Sequence, residues 1–84
     1  MKINEYKTKD IGEAAALYAS EIKLLRLDQE IDFYWFIFED KNTIALADMY
    51  WSGTLMVDAQ EYNICFKSLK DRIFARQNER GRNG

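Results

Sequence analysis

The 84-residue chain has no histidine, no proline, a single cysteine and only four glycines. Without histidine it lacks the commonest general base and the commonest metal ligand. Cys65 stands alone, so no internal disulfide can form, and a reducing cytoplasm is the expected location. Gly12, Gly53, Gly81 and Gly84 match neither phosphate-binding fingerprint. No apolar run approaches the roughly 18 residues that suggest a membrane span. The polar opening MKINEYKTKD also has no apolar signal-peptide core, so no membrane role is expected.

What is present suits one small folded domain. Apolar residues at 48% are enough for a compact core, and charged residues at 31% keep it soluble. The net charge is −2, but it is unevenly placed. Over 67–84, six cations (Lys67, Lys70, Arg72, Arg76, Arg80, Arg82) face Asp71 and Glu79, a net +4; the other six cations face twelve carboxylates, a net −6. Cations at a helix C-terminus complement its dipole, which accounts for much of this asymmetry. The aromatics are concentrated as well: five of the twelve lie in FYWFIF (33–38).

Turn and cap signals divide the chain. INEYK (3–7) suits a short edge strand. Asp10 is an N-cap candidate with Glu13 three residues on, as in a capping box, and Ile11, Ala14, Ala15 and Tyr18 form an apolar stripe on a helix over 10–20. IKLLRLD (22–28) and FYWFIF alternate enough to be two strands of a hairpin. The glycine-free DQEID between them calls for a four- or five-residue loop. Alternation places Phe33, Trp35 and Ile37 on one sheet face and Tyr34, Phe36 and Phe38 on the other, which implies a central strand covered on both sides. Asp40 is expected to cap a helix over 41–52 with Ile44, Ala47 and Trp51 inward, ended by Gly53. TLMV (54–57) suits a short edge strand. Asp58 caps a final helix whose inner stripe is Tyr62, Cys65, Phe66, Leu69 and Ile73, with Ile64 and Phe74 off that stripe. The expected fold is a small single α+β domain over 1–76, ordered (β)αββα(β)α, with an antiparallel hairpin-based sheet packed with three helices and a disordered basic tail over 77–84.

YKTKD (6–10), FIFED (36–40), YWSG (50–53), VDAQEY (57–62) and SLKDRIFA (68–75), in that order and spacing, resemble a group of short bacterial and phage-encoded proteins known only as a domain of unknown function. The resemblance covers about residues 6–76. Where that family tends to carry a glycine closing the first helix, this chain has Glu21. The resemblance implies an α+β domain in a phage or mobile-element setting, within a bacterial host cell, and transfers no catalytic residue.

Candidate chemistries are few. Cys65 lies on an apolar stripe, where a buried inert thiol is expected. Glu39 and Asp40 are adjacent on a strand end and point to opposite faces, so they make no acid/base pair. Asp28, Glu30, Asp32 and Glu39 have the acidic spacing of a calcium loop, but its glycine position is Phe33 and an aromatic strand follows. No catalytic residue, metal or cofactor is implied, and an enzyme is not expected. A non-enzymatic protein–protein interaction module is, with a host or phage protein or a second copy of the chain as partner. Its interface candidates are Tyr34, Trp35, Tyr50, Trp51 and Met56. An acidic surface of Glu5, Glu13, Glu30, Asp32, Glu39 and Asp48 could instead compete for a nucleic-acid channel, for example in a bacterial defence system such as CRISPR. The alternative is a module for single-stranded nucleic acid or a small nucleotide, with Lys70, Arg72 and Arg76 as its basic patch. The acidic body makes it the less favoured reading.

Overall fold

The computed structural model describes the backbone of residues 4–82 and the side chains of residues 4–77. Its elements are β1 (Glu5–Thr8), α1 (Ile11–Ala19), β2 (Leu24–Gln29), β3 (Tyr34–Glu39), α2 (Thr43–Ser52) and α3 (Ala59–Arg82). The strands form one antiparallel sheet ordered β1-β3-β2, so the aromatic strand is central. The molecule is 19 Å across its shortest axis, the thickness of one sheet and one helical layer. This is the expected small α+β domain, ordered βαββαα.

Pleating sets which residues enter the core. Tyr6 and Thr8 of β1 pair with Phe38 and Phe36 of β3, and Leu24 and Leu27 of β2 pair with the same two phenylalanines from the other side. These residues share one sheet face with Tyr34. There they meet Ala14, Ala15 and Leu17 of α1 and Cys65 and Leu69 of α3, all buried in one cluster. A register irregularity between Leu24 and Arg26 marks a bulge in β2. The hairpin loop spans 30–33 and is closed by the Glu30 amide donating to the Phe33 carbonyl at 2.8 Å.

Local chemistry explains the helix ends. Asp10 accepts from the Glu13 amide at 2.8 Å, and Asp58 accepts from the Glu61 amide at 2.9 Å, so both predicted N-caps form. At the far end of α1, the Ile22 amide donates to Leu17 and the Glu21 amide to Tyr18, the paired bonds of a Schellman motif. Its left-handed residue is Glu21, at φ 68°. Gly53 ends α2 at φ 78° with open space around its Cα, so the backbone conformation alone demands glycine there.

Four expectations are corrected. Asp40 does not cap α2: the N-cap is Asn42, at φ 66° and without a side-chain bond, and the Thr43 hydroxyl instead donates to the Glu39 carbonyl at 2.6 Å. That bond draws Thr43 inward and rotates the helix. Thr43 and Ala47 are buried, whereas Ile44 and Trp51 are exposed. Residues 54–57 join no strand and form an irregular connector into α3, and the Gly53 and Thr54 amides fold back on Tyr50 and Met49. The final helix does not stop near 76 but continues through Arg82, because 76–80 contains no residue that breaks a helix. The disordered tail expected over 77–84 is therefore helical backbone over 77–82, and residues 83–84 lie outside the described residues, as does Ile3.

Candidate functional site

The five candidate interface residues separate into three environments. Tyr34 is buried in the core cluster, so it is a packing residue and not an interface residue. Trp35 is half-buried on the sheet's second face, with its ring 5.2 Å from Phe33 in an edge-to-face pair and the Lys7 ammonium 5.0 Å above it. Tyr50, Trp51 and Met56 belong to the end of α2 and the connector that follows. Trp51 is 62% exposed and Met56 89% exposed.

Tyr50 reaches from α2 back to the first turn of α1. Its hydroxyl approaches Gly12 so closely that a β-carbon there would lie 2.6 Å from it. Glycine at the first turn of α1 leaves room for that approach, and a side chain there would displace the hydroxyl. From α3, the Tyr62 hydroxyl donates to the Gly12 carbonyl at 3.4 Å. Burial, then the neighbouring Tyr62, raises the Tyr50 phenol above its ordinary value. The Trp51 ring packs edge-on against Tyr50 at 5.0 Å. An exposed tryptophan is thereby braced by a tyrosine wedged between the helices.

The six acidic candidates do not form one surface. Glu13 is only 3% exposed and accepts from the hydroxyls of Tyr6 at 2.5 Å and Thr8 at 2.7 Å. It is not part of a capping box, since the Asp10 amide donates to Thr8 Oγ1 instead. Burial and the Glu13 bond push the Tyr6 phenol far above its ordinary value. Glu13 thus pins α1 to β1. Glu5 is tied to Arg26 by two bonds of 2.8 and 3.0 Å. Glu39 pairs with Glu5 in the sheet register, while Glu30 and Asp32 lie in the hairpin loop and Asp48 on α2. Sequence reasoning took Glu13 for a surface carboxylate because an acid at N3 suits a cap. The signal for its burial was Tyr6 and Thr8, two hydroxyl donors on one strand face just ahead of the helix.

Of the basic candidates, Arg72 and Arg76 come together and Lys70 lies apart. The Lys70 ammonium lies 5.9 Å from the Phe66 ring, and Arg72 stacks on Tyr18 and donates to its hydroxyl at 3.3 Å. Arg72 and Arg76 line a groove against Leu25, Arg26 and Leu27 of the β2 edge. Arg26 is already engaged by Glu5 and Asp28. Asp28, the first residue of the calcium-like spacing, is occupied by that pair.

Cys65 is buried, and burial, then Glu61, raises its thiol above the ordinary value, which disfavours the thiolate. Among the described residues no group of acidic, cysteine or histidine side chains is placed to hold a metal ion, and no helix is long and apolar enough to cross a membrane. Comparison of the chain with protein-family models, with curated proteins and with solved structures gives no significant match.

Proposed function

We propose that the protein is a non-enzymatic protein–protein interaction module whose docking surface is the end of α2 and the connector after it, centred on Trp51 and Met56. The observation that carries this reading is the braced, exposed Trp51. Large aromatics are costly to leave in water and are enriched where interfaces bury most energy. A tryptophan held by Tyr50 has already lost much of its rotamer freedom, so a partner need not supply that ordering. Ile44, exposed and seven residues before Trp51 on the same face of α2, extends the exposed apolar surface. The dispersal of the acidic candidates makes this apolar surface the better docking site than an acidic mimic of nucleic acid.

The phage or mobile-element setting that the resemblance implies makes a bacterial host protein the partner of first choice. Inhibition of a host defence system such as CRISPR is the role we assign within that setting. Tagged wild-type protein, expressed in a host with an active CRISPR system, is expected to retain a defence component and restore plating of a targeted phage. A folded variant carrying Trp51→Ala and Met56→Ala should do neither. Retention of the same component by both forms would place the docking surface elsewhere. Retention without rescue of the phage would sink the defence role alone.

The groove lined by Arg72 and Arg76 supports the second reading, a site for single-stranded nucleic acid or a nucleotide. It predicts co-purifying nucleotide mass in a native mass spectrum, and binding that weakens steeply with salt and on neutralising Lys70, Arg72 and Arg76.

A further inference from the structure

The outer side of α3 carries a pattern that neither the core nor the α2 surface uses. Ile64 and Phe74 are exposed, at 56% and 58%, although both are large and apolar. Between them on the same side lie Lys67 and Asp71, also exposed. The spacing 64, 67, 71, 74 alternates three and four residues, which keeps all four side chains on one helix face. That face is turned away from the core stripe of Cys65 and Leu69. A shallow groove runs along it, lined by Ile64, Lys67, Ser68, Asp71, Arg72 and Ala75.

The order of the four residues is reversible about Leu69. Five positions on either side of it stand an apolar residue, Ile64 and Phe74; two positions on either side stand opposite charges, Lys67 and Asp71. When such a helix lies antiparallel against a copy of itself, centred at 69, Ile64 faces Phe74 of the copy and Lys67 faces its Asp71. Both contacts then repeat through the two-fold axis. A parallel pairing in the same register would instead set Lys67 against Lys67 and Asp71 against Asp71. Within one chain this pair is not satisfied: among the described residues the ion pairs are those of Arg26 with Glu5 and with Asp28.

We propose that this face of α3 is a self-association surface, on which two copies of the chain pair antiparallel through their last helices. The four residues span roughly 15 Å of helix at about 1.5 Å per residue. The contact is small, and it makes a weak, concentration-dependent dimer of micromolar or higher dissociation constant. The four residues that carry the pairing, Ile64, Lys67, Asp71 and Phe74, are not those of the partner-binding reading, so each is tested by its own variants.

Sedimentation equilibrium of the full chain across a concentration series tests the proposal. Wild type should be a monomer–dimer system. Lys67→Asp alone and Asp71→Lys alone each set two like-charged pairs across the axis and should weaken the dimer about tenfold or more. Mixing those two variants creates opposite charges at both contacts and should restore association between unlike copies, as should the double swap K67D/D71K within one chain. Phe74→Glu should abolish association without changing the circular dichroism of the monomer, since Phe74 lies outside the core. A wild-type monomer at several hundred micromolar overturns the proposal. So does a dimer indifferent to both charge variants.

Discussion

Strand β3 is covered on both faces, but by different means. Tyr34, Phe36 and Phe38 meet a helical layer, with Ala14, Ala15 and Leu17 from α1 and Cys65 and Leu69 from α3. On the other face Ile37 is just 2% exposed, yet its cross-strand neighbours are Lys7 and Arg26. Arg26 reaches from one edge strand across β3 to Glu5 on the other edge, and Lys7 lies over Trp35. Long cationic side chains can shelter apolar surface along their stems while their heads stay in water. The second face is thus partly roofed by long side chains of its own edge strands. Tyr34 is buried in this arrangement and Trp35 half-buried, whereas Trp51 and Met56 are exposed.

The largest expected effect tests that difference directly. Phe36→Ala empties a fully enclosed site and should cost about 3–5 kcal/mol, much of what a domain this small has. Trp35→Ala removes a half-buried side chain flanked by Lys7 and Phe33, and should cost about 1–2 kcal/mol despite the larger ring. Urea midpoints at constant slope would report both. Equal losses would mean that the charged roof packs as densely as the helices.

Polar anchors come next. Glu13→Ala strips the acceptor from the Tyr6 and Thr8 hydroxyls under the helical layer, and should cost about 2 kcal/mol, with Glu13→Gln recovering part of it. A neutral result for the alanine variant would show that water reaches these hydroxyls and that α1 is held to β1 by packing alone.

How far the sequence shows this arrangement depends on the range of the interactions. The α3 stripe and the caps at Asp10 and Asp58 rest on residues three or four apart, so periodicity finds them. The central place of FYWFIF follows from its apolarity on both faces. The phase of α2 does not, because it is set by Thr43 bonding back to Glu39 after a left-handed Asn42, a turn that no local pattern announces. The exposure of the candidate residues was legible only in part, for the same reason. Trp51 and Met56 are candidates by residue type alone, Trp51 being expected inward on α2, and the burial of Glu13 needs a strand and a helix to meet first.

A smaller gain is available in the helical layer. Glu21 holds the left-handed position of the α1 Schellman motif, a conformation that costs a side-chain-bearing residue about 1 kcal/mol. Glu21→Gly relieves that cost but adds unfolded-state freedom. A net stabilisation of about 0.5 kcal/mol is expected, seen as a higher urea midpoint. The α-helical cover would tighten while the charged face stays as it is. A loss of stability would show that the Glu21 side chain itself contributes to the turn.

The smallest effect belongs to the roof and is read through pH. The hydrogen bond from Arg26 holds the Glu5 carboxyl below its ordinary value of 4.5, with burial opposing and the charges of Arg26 and Lys7 assisting. A carboxyl whose value is lower in the folded state binds its proton more weakly there than in the unfolded chain. Its contribution to stability is therefore complete above 4.5 and disappears as pH falls through the lowered folded-state value. Wild type should exceed Glu5→Gln in urea midpoint at neutral pH, and the two should converge in acid below that window. Both partners are exposed, so the neutral-pH advantage should also shrink in high salt. The buried Glu13 anchor, shielded from solvent, should hold its advantage over Glu13→Gln in the same salt. A Glu5 advantage that survived both acid and salt would mean that the roof works through the packing of its stems and that its ion pair is dispensable.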